Sequence, residues 1–191
     1  DRIVQLLRES TKDEIRVCSF GSGSAIDMQL ACQELSEAER AKLVVTLLAL
    51  DPEAIAHASE RLAPFLRDEQ LNASRENLFR LPRLKRSAGL IDQQDFIACT
   101  GLFDYLTDEA AIAMMQWFNN CLANGGETLI FNFAPSNPSR AYMEWIGNWY
   151  LTYRDEDDIA QLLREAFGDS AAATINRDEF DACVFASCKK S

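Results

Sequence analysis

The chain has 191 residues, of which 48% are apolar, with only 8 Gly and 5 Pro, so one compact domain over residues 1–191 is the expectation and disorder is excluded as the main state. Thirty Asp and Glu against 19 Lys and Arg leave a net charge of −11, which argues against a nucleic-acid surface. The longest apolar run, Leu43 to Leu50, is too short for a membrane span and reads as a buried strand.

Short apolar runs alternate with amphipathic stretches. Ile15 to Phe20 reads as a strand, and Ala25 to Leu35 as a helix with Met28, Cys32 and Leu35 on one face. Leu43 to Leu50 is the second strand. Pro52 suits the first turn of a helix carrying Ile55, Ala58, Leu62 and Phe65. A weaker strand over Leu71 to Leu78 precedes a loop with Pro, Lys and Arg, and Asp95 to Thr100 is the fourth strand. Thr107 is placed to cap a helix running to about Ala123, with Asn124-Gly125-Gly126 as its stop. Thr128 to Phe133 is the fifth strand. Helices follow over Arg140–Leu151 and Asp155–Phe167, then strands over Ala172–Ile175 and Ala182–Ser187.

Repeated alternation of strand and helix predicts a parallel sheet with helices on both faces, closed by an antiparallel pair too closely spaced for a crossover. Ligands of such sheets bind outside the carboxyl ends of the strands. The six cysteines (18, 32, 99, 121, 183, 188) form no CxxC pair and read as reduced core thiols of a cytoplasmic protein, with no metal site. The basic cluster Arg75 to Arg86 is broken by Leu78, Phe79 and Leu81 and reads as a strand end and loop.

The unusual residues fall at strand ends. Gly21-Ser22-Gly23 allows a sharp turn and close approach of a ligand to the backbone, although a plain strand-to-helix turn explains it too. A dinucleotide fingerprint would need a third glycine at position 26, which is Ile26, and this argues against NAD. Asp51 at the end of the second strand can accept both ribose hydroxyls of an adenosine, or cap the helix that Pro52 opens, and the roles are compatible. Asn77 and Leu78 close the third strand, where an adenine edge would lie. His57 points away from the apolar stripe of its helix, so no imidazole base is expected.

These pieces, with Asp95-Phe96 through Thr100-Gly101-Leu102 and the later Leu122-Ala123-Asn124-Gly125-Gly126, resemble in order the class I S-adenosylmethionine-dependent methyltransferases, over about residues 12 to 134. Ser19 stands where many members carry an acid, and Ala25 replaces their third small glycine. The resemblance implies a three-layer Rossmann-like α/β sandwich with strand order 3-2-1-4-5-7-6 and the seventh strand antiparallel. It implies S-adenosylmethionine held by Gly21, Ser22, Gly23, Asp51, Pro52, Asn77 and Leu78, with Thr100, Gly101 and Leu102 on the methionine side. A nicotinamide oxidoreductase and a catalytically inert cofactor- or lipid-binding module are the rivals.

Gly101 to Leu106, Asn132 to Arg140 and Trp149 to Arg154 further resemble the bacterial methyltransferases that make 3-hydroxypalmitate methyl ester, which implies a fatty acid carboxylate as acceptor. Those proteins have additional N-terminal sequence, and a chain that starts at Asp1 without Met is expected to be a fragment lacking a substrate-covering region. A carboxylate is already ionised at neutral pH and needs no base. Asp104, Tyr105 and Asn132 are the candidates for orienting it. Tyr142, Trp145, Ile146, Trp149, Tyr150 and Tyr153 recur at helical spacing, as an acyl wall or as ordinary helix packing, flanked by Arg140 and Arg154 as carboxylate binders.

Overall fold

A computed structural model describes residues 2–83, 90–91, 93–169 and 171–190. The 84–86 end of the basic cluster and the start at Asp1 lie outside the described residues. Seven strands form one sheet in the order β3-β2-β1-β4-β5-β7-β6, as the resemblance implied. The chain divides into two compact units, Asp1–Ala98 and Cys99–Ser191.

In the first unit, β1 (Ile15–Phe20) pairs in parallel with β2 (Leu43–Ala49) and with β4 (Gln94–Cys99), and β3 (Leu71–Arg75) adds to β2. Val17, Cys18, Leu43, Val45 and Leu47 are fully buried, as mostly apolar runs require of strands covered on both faces. Helix α1 (Arg2–Glu9) buries Ile3, Val4 and Leu7, and α2 (Ile26–Glu34) buries Met28, Ala31 and Cys32. A four-residue α3 (Glu37–Arg40) is started by a capping box between Ser36 and Glu39. In α4 (Pro52–Leu62) Asp51 is the N-cap, accepting the Glu53 N–H at 2.9 Å, and Pro52 fills a position whose N–H would have no partner. The third strand is shorter than expected. It ends at Arg75, and Leu78 belongs to a 3-10 turn, Leu78–Arg83.

The second unit opens with a 3-10 turn at Phe103–Tyr105 and α5 (Asp108–Cys121), whose N-cap Thr107 accepts the Ala110 N–H at 3.4 Å. The Asn124-Gly125-Gly126 stop is corrected. Helix α5 ends at Cys121 and β5 (Leu122–Phe133) begins at once, with Gly125 at φ 74 inside its first turn of extended chain. After α6 (Arg140–Trp145) and α7 (Glu156–Phe167), β6 (Ala172–Arg177) and β7 (Cys183–Lys189) form an antiparallel pair, and β7 also runs antiparallel to β5. Helices α5 and α7 pack together, and Met114 and Phe118 on the first and Leu162 and Leu163 on the second are buried.

The helix expected over Arg140–Leu151 is six residues long. The Ile146 and Gly147 N–H groups both bond the Tyr142 carbonyl (3.0 and 3.1 Å), Asn148 takes a left-handed φ of 47, and the Trp149 N–H returns to Met143 O at 2.9 Å. A Cβ on Gly147 would stand 2.8 Å from the Met143 oxygen, so the turn requires glycine there. Helix α6 buries only Met143. The aromatic residues therefore do not form one packed helical stripe: Tyr142 is 68% exposed, Trp145 84%, Trp149 44% and Tyr150 67%.

Candidate functional site

In the first unit, parallel register aligns Phe20 with Leu48 and Leu48 with Ser74, so the segments leaving β1, β2 and β3 emerge side by side. The Leu48 carbonyl accepts the N–H groups of Gly21 (2.8 Å) and Ser22 (3.2 Å), and Ala49 O accepts the Glu76 N–H at 2.9 Å. Two of the loop's donors are thus committed to the fold. What is left is informative. The Ser22 hydroxyl is buried with no hydrogen-bond partner among the described residues. Gly21 (φ 77) and Gly23 (φ 50) are left-handed, and nothing stands within 4 Å of the place a Gly23 Cβ would take. Ala25 is also left-handed, at φ 51, ahead of α2. That conformation is where glycine is the unstrained choice, and a non-glycine residue there carries strain.

Leu78 is buried, with its Cδ1 3.6 Å from a Cβ built on Gly21, and Asn77 is exposed beside it. Asp51 is exposed and uses Oδ1 for the helix cap; its other oxygen makes no hydrogen bond among the described residues. Asp95, which opens the Asp95-Phe96 segment of the family resemblance, sits at the amino end of β4. There it ion-pairs with Lys12 and accepts the Arg16 N–H at 2.9 Å, so it holds the opposite end of the sheet. His57 is exposed on α4 with Nε2 3.1 Å from Arg61, as expected.

In the second unit, Thr100 and Gly101 are exposed after β4 and Leu102 is buried. Asp104 follows, 3% exposed. Its Oδ1 accepts the Phe133 N–H at 2.7 Å and its carbonyl the Thr152 N–H at 2.8 Å. Burial pushes its carboxyl up to about 6, against the opposing pull of the Phe133 and Asp104 N–H groups and the Arg154 guanidinium. Burial, and then the Asp104 charge, raise the Cys99 thiol well above its ordinary value.

Two expected acceptor-binding residues are corrected. Arg154 is 2% exposed and spends all five of its N–H groups inside the protein. Nε and Nη2 bond Asp108 Oδ1 (3.0 and 2.8 Å), Nη1 bonds Phe103 O and Asn132 Oδ1 (both 2.9 Å), and Nη2 bonds Leu106 O (2.7 Å). No donor is left for an acceptor carboxylate. Asn132, fully buried, gives its amide hydrogens to Phe133 O (3.0 Å) and Thr152 O (2.8 Å) while accepting from Arg154. Both residues brace the turn instead of facing a ligand. Arg140 is exposed, pairs through Nε with Glu144 at 2.8 Å, and stacks 4.3 Å above the Tyr153 ring.

Tyr105, 52% exposed, has a partner the sequence did not reveal: its hydroxyl oxygen accepts the Trp149 Nε1–H at 3.0 Å, and the Trp149 ring meets Phe133 edge-on at 6.3 Å. The two residues are 44 apart in sequence, beyond any local pattern.

The strand order, with β7 antiparallel in a mostly parallel sheet, is that of the Rossmann-like methyltransferase fold. Solved structures share it. A possible exported protein from Bordetella parapertussis superposes with a TM-score of 0.76 at 15% identity, over 99% of this chain and 66% of that one. Magnesium protoporphyrin IX methyltransferase from Synechocystis PCC 6803, with bound SAH, gives 0.69 at 17% over 100% and 81%. An O-methyltransferase family protein from Burkholderia thailandensis gives 0.67 at 13% over 100% and 55%. The chain thus spans just under two thirds of the first and about half of the third. No family model and no curated protein matches the sequence. No helix among the described residues is long and apolar enough to cross a membrane.

Proposed function

We propose that the chain is an S-adenosylmethionine-dependent methyltransferase domain that O-methylates the carboxylate of a 3-hydroxy fatty acid or a similar small apolar acid. The observation that carries the cofactor reading is the buried, unpartnered Ser22 hydroxyl in a left-handed glycine turn. An orphaned buried donor costs about 1–3 kcal/mol and is retained where a ligand satisfies it. Gly23 gives that ligand room, Leu78 is an apolar wall for adenine with Asn77 at its edge, and Asp51 has an oxygen left for the ribose hydroxyls beside the helix that Pro52 opens. Thr100, Gly101 and Leu102 are proposed for the methionine side. When bound, the cofactor supplies an electrophilic methyl group on sulfur.

The acceptor reading rests on the narrower family resemblance and on the exposed aromatic residues. An ionised carboxylate brings its own nucleophile, so the residues need only orient it and strip part of its water. With Arg154 and Asn132 committed to the fold, that task falls to the Tyr105 hydroxyl and to the unbonded end of Arg140. Five of the six thiols are buried, which supports reduced core cysteines and a cytoplasmic setting.

Titration calorimetry with S-adenosylhomocysteine tests the cofactor. Asp51→Asn keeps a good helix cap and is expected to weaken binding about tenfold or more, since a charged acceptor of two hydroxyls is lost. Equal heats for the variant and the wild type remove Asp51 from the site. Ser22→Ala carries opposite signs for its two readouts. It should raise the stability of the unliganded protein by about 1 kcal/mol while weakening the ligand.

A further inference from the structure

We propose that residues 147–151 form a gate on the acceptor side of the second unit, and that the Trp149–Tyr105 hydrogen bond is a latch that an acceptor carboxylate tightens. This deepens the proposed function and rests on its acceptor reading. The segment is held firmly at both ends and loosely between them. At one end the Tyr142 and Met143 carbonyls collect the N–H groups of Ile146, Gly147 and Trp149, and Asn148 turns the chain at φ 47. At the other, Thr152 is bonded by Asp104 O (2.8 Å) and the Asn132 amide (2.8 Å), and the Arg154 N–H by Phe133 O (3.0 Å). Between these anchors Tyr150 and Leu151 make no main-chain hydrogen bond among the described residues. Among the described residues, the side-chain hydrogen bond across the gap is Trp149 Nε1–H to Tyr105.

The chemistry of Tyr105 couples that bond to an acceptor. A phenol oxygen accepts along its lone pairs and donates its own hydrogen. The Trp149 bond uses a lone pair and leaves the O–H hydrogen to be donated, on a ring that is 52% exposed. Donation to a carboxylate is a charge-assisted bond. It moves electron density onto the phenol oxygen and makes that oxygen a better acceptor for the Trp149 N–H. The acceptor's charged head therefore strengthens the latch, and the gate's apolar rings close toward the rest of the acceptor. A neutral ester donates no such charge, so the methylated product lets the latch relax. Binding and release are thereby sorted by the charge that the reaction removes.

Limited digestion with chymotrypsin, which cuts after Trp149 and Tyr150 when the gate is open, reads the latch without cofactor or turnover. The probes are a long-chain 3-hydroxy acid and its methyl ester, each with wild type, Tyr105→Phe and Trp149→Phe. The acid should slow cleavage of the wild type about fivefold or more, the factor of one net hydrogen bond, and the ester should not. Both variants should be cut faster than wild type without ligand, at similar rates, and lose the protection. Protection of Tyr105→Phe equal to that of wild type overturns the coupling. Equal cleavage of the unliganded wild type and Trp149→Phe overturns the latch. Calorimetry with S-adenosylhomocysteine on the same samples separates the two ideas: absence of binding there sinks the methyltransferase reading, while the digestion still decides the gate.

Discussion

Replacing Arg154 with alanine is expected to lower the free energy of unfolding by about 3–5 kcal/mol, the largest effect of any single substitution proposed for this chain. The reason is the asymmetry of its ion pair. Arg154 is 2% exposed, whereas the Asp108 side chain is 68% exposed. Removal of the guanidinium strips the carbonyls of Phe103 and Leu106 and the Asn132 oxygen of a buried donor, and water reaches them poorly. Asp108→Asn keeps an oxygen acceptor in a solvated place and should cost less than about 1 kcal/mol. Lysine at 154 offers three N–H groups on one nitrogen and cannot reach acceptors laid out around a planar fork, so Arg154→Lys should recover little. Urea unfolding of the three variants is the measurement. Comparable losses for Arg154→Ala and Asp108→Asn would mean that the exposed ion pair, and not the buried acceptors, carries the energy.

The second large effect is a pH dependence due to Asp104. Its carboxyl lies near 6 in the folded chain against an ordinary 3.8, because burial disfavours the charged form more than the Phe133 N–H and Arg154 favour it. Between those values the native state holds a proton that the unfolded state has released. The protonated carboxyl's stabilisation is therefore fully present below pH 3.8 and is lost as pH rises through about 6. At roughly 1.4 kcal/mol per pH unit across that window, the loss is on the order of 3 kcal/mol. Asp104→Asn keeps an oxygen for the Phe133 N–H and carries no charge. Relative to wild type, the variant should gain stability from pH 4 to pH 7, with the two curves converging in acid. A constant difference across that range would show that Asp104 titrates in its ordinary range.

The sequence made the scaffold legible because strands leave local marks. Ile15–Phe20 is bounded as read, while the strand order β3-β2-β1-β4-β5-β7-β6 is the one the family resemblance implied, since local patterning does not set which strands are neighbours. Caps were equally legible: Thr107, and Asp51 ahead of Pro52, act through neighbours two or three residues away. What failed depends on distant partners or on three-dimensional crowding. Aromatic residues at steps of three and four suggested a helix to Leu151, and nothing in that spacing reveals that Gly147 lies against the Met143 carbonyl. Arg154 looks in sequence like any arginine flanking a binding surface. Its burial is decided by partners 22 to 51 residues away. The Tyr105–Trp149 pair left no mark at all.

The placement of β7 bears on how the protein is made. It is made after β6, yet it lies between β5 and β6, which both need it as their antiparallel neighbour. Neither can complete its ladder until residues 183–189 have left the ribosome. The parallel ladder of β1, β2 and β3 has no such wait, since all its strands are present after residue 75. A growing chain thus carries the open edge of β5 for more than fifty residues, an interval of several seconds at ordinary elongation rates of about 5–20 residues per second. An unpaired edge is the surface on which strands of other chains add. The nascent second unit is where protection against misassembly is needed, and a stop codon ahead of residue 183 would leave that edge open for good.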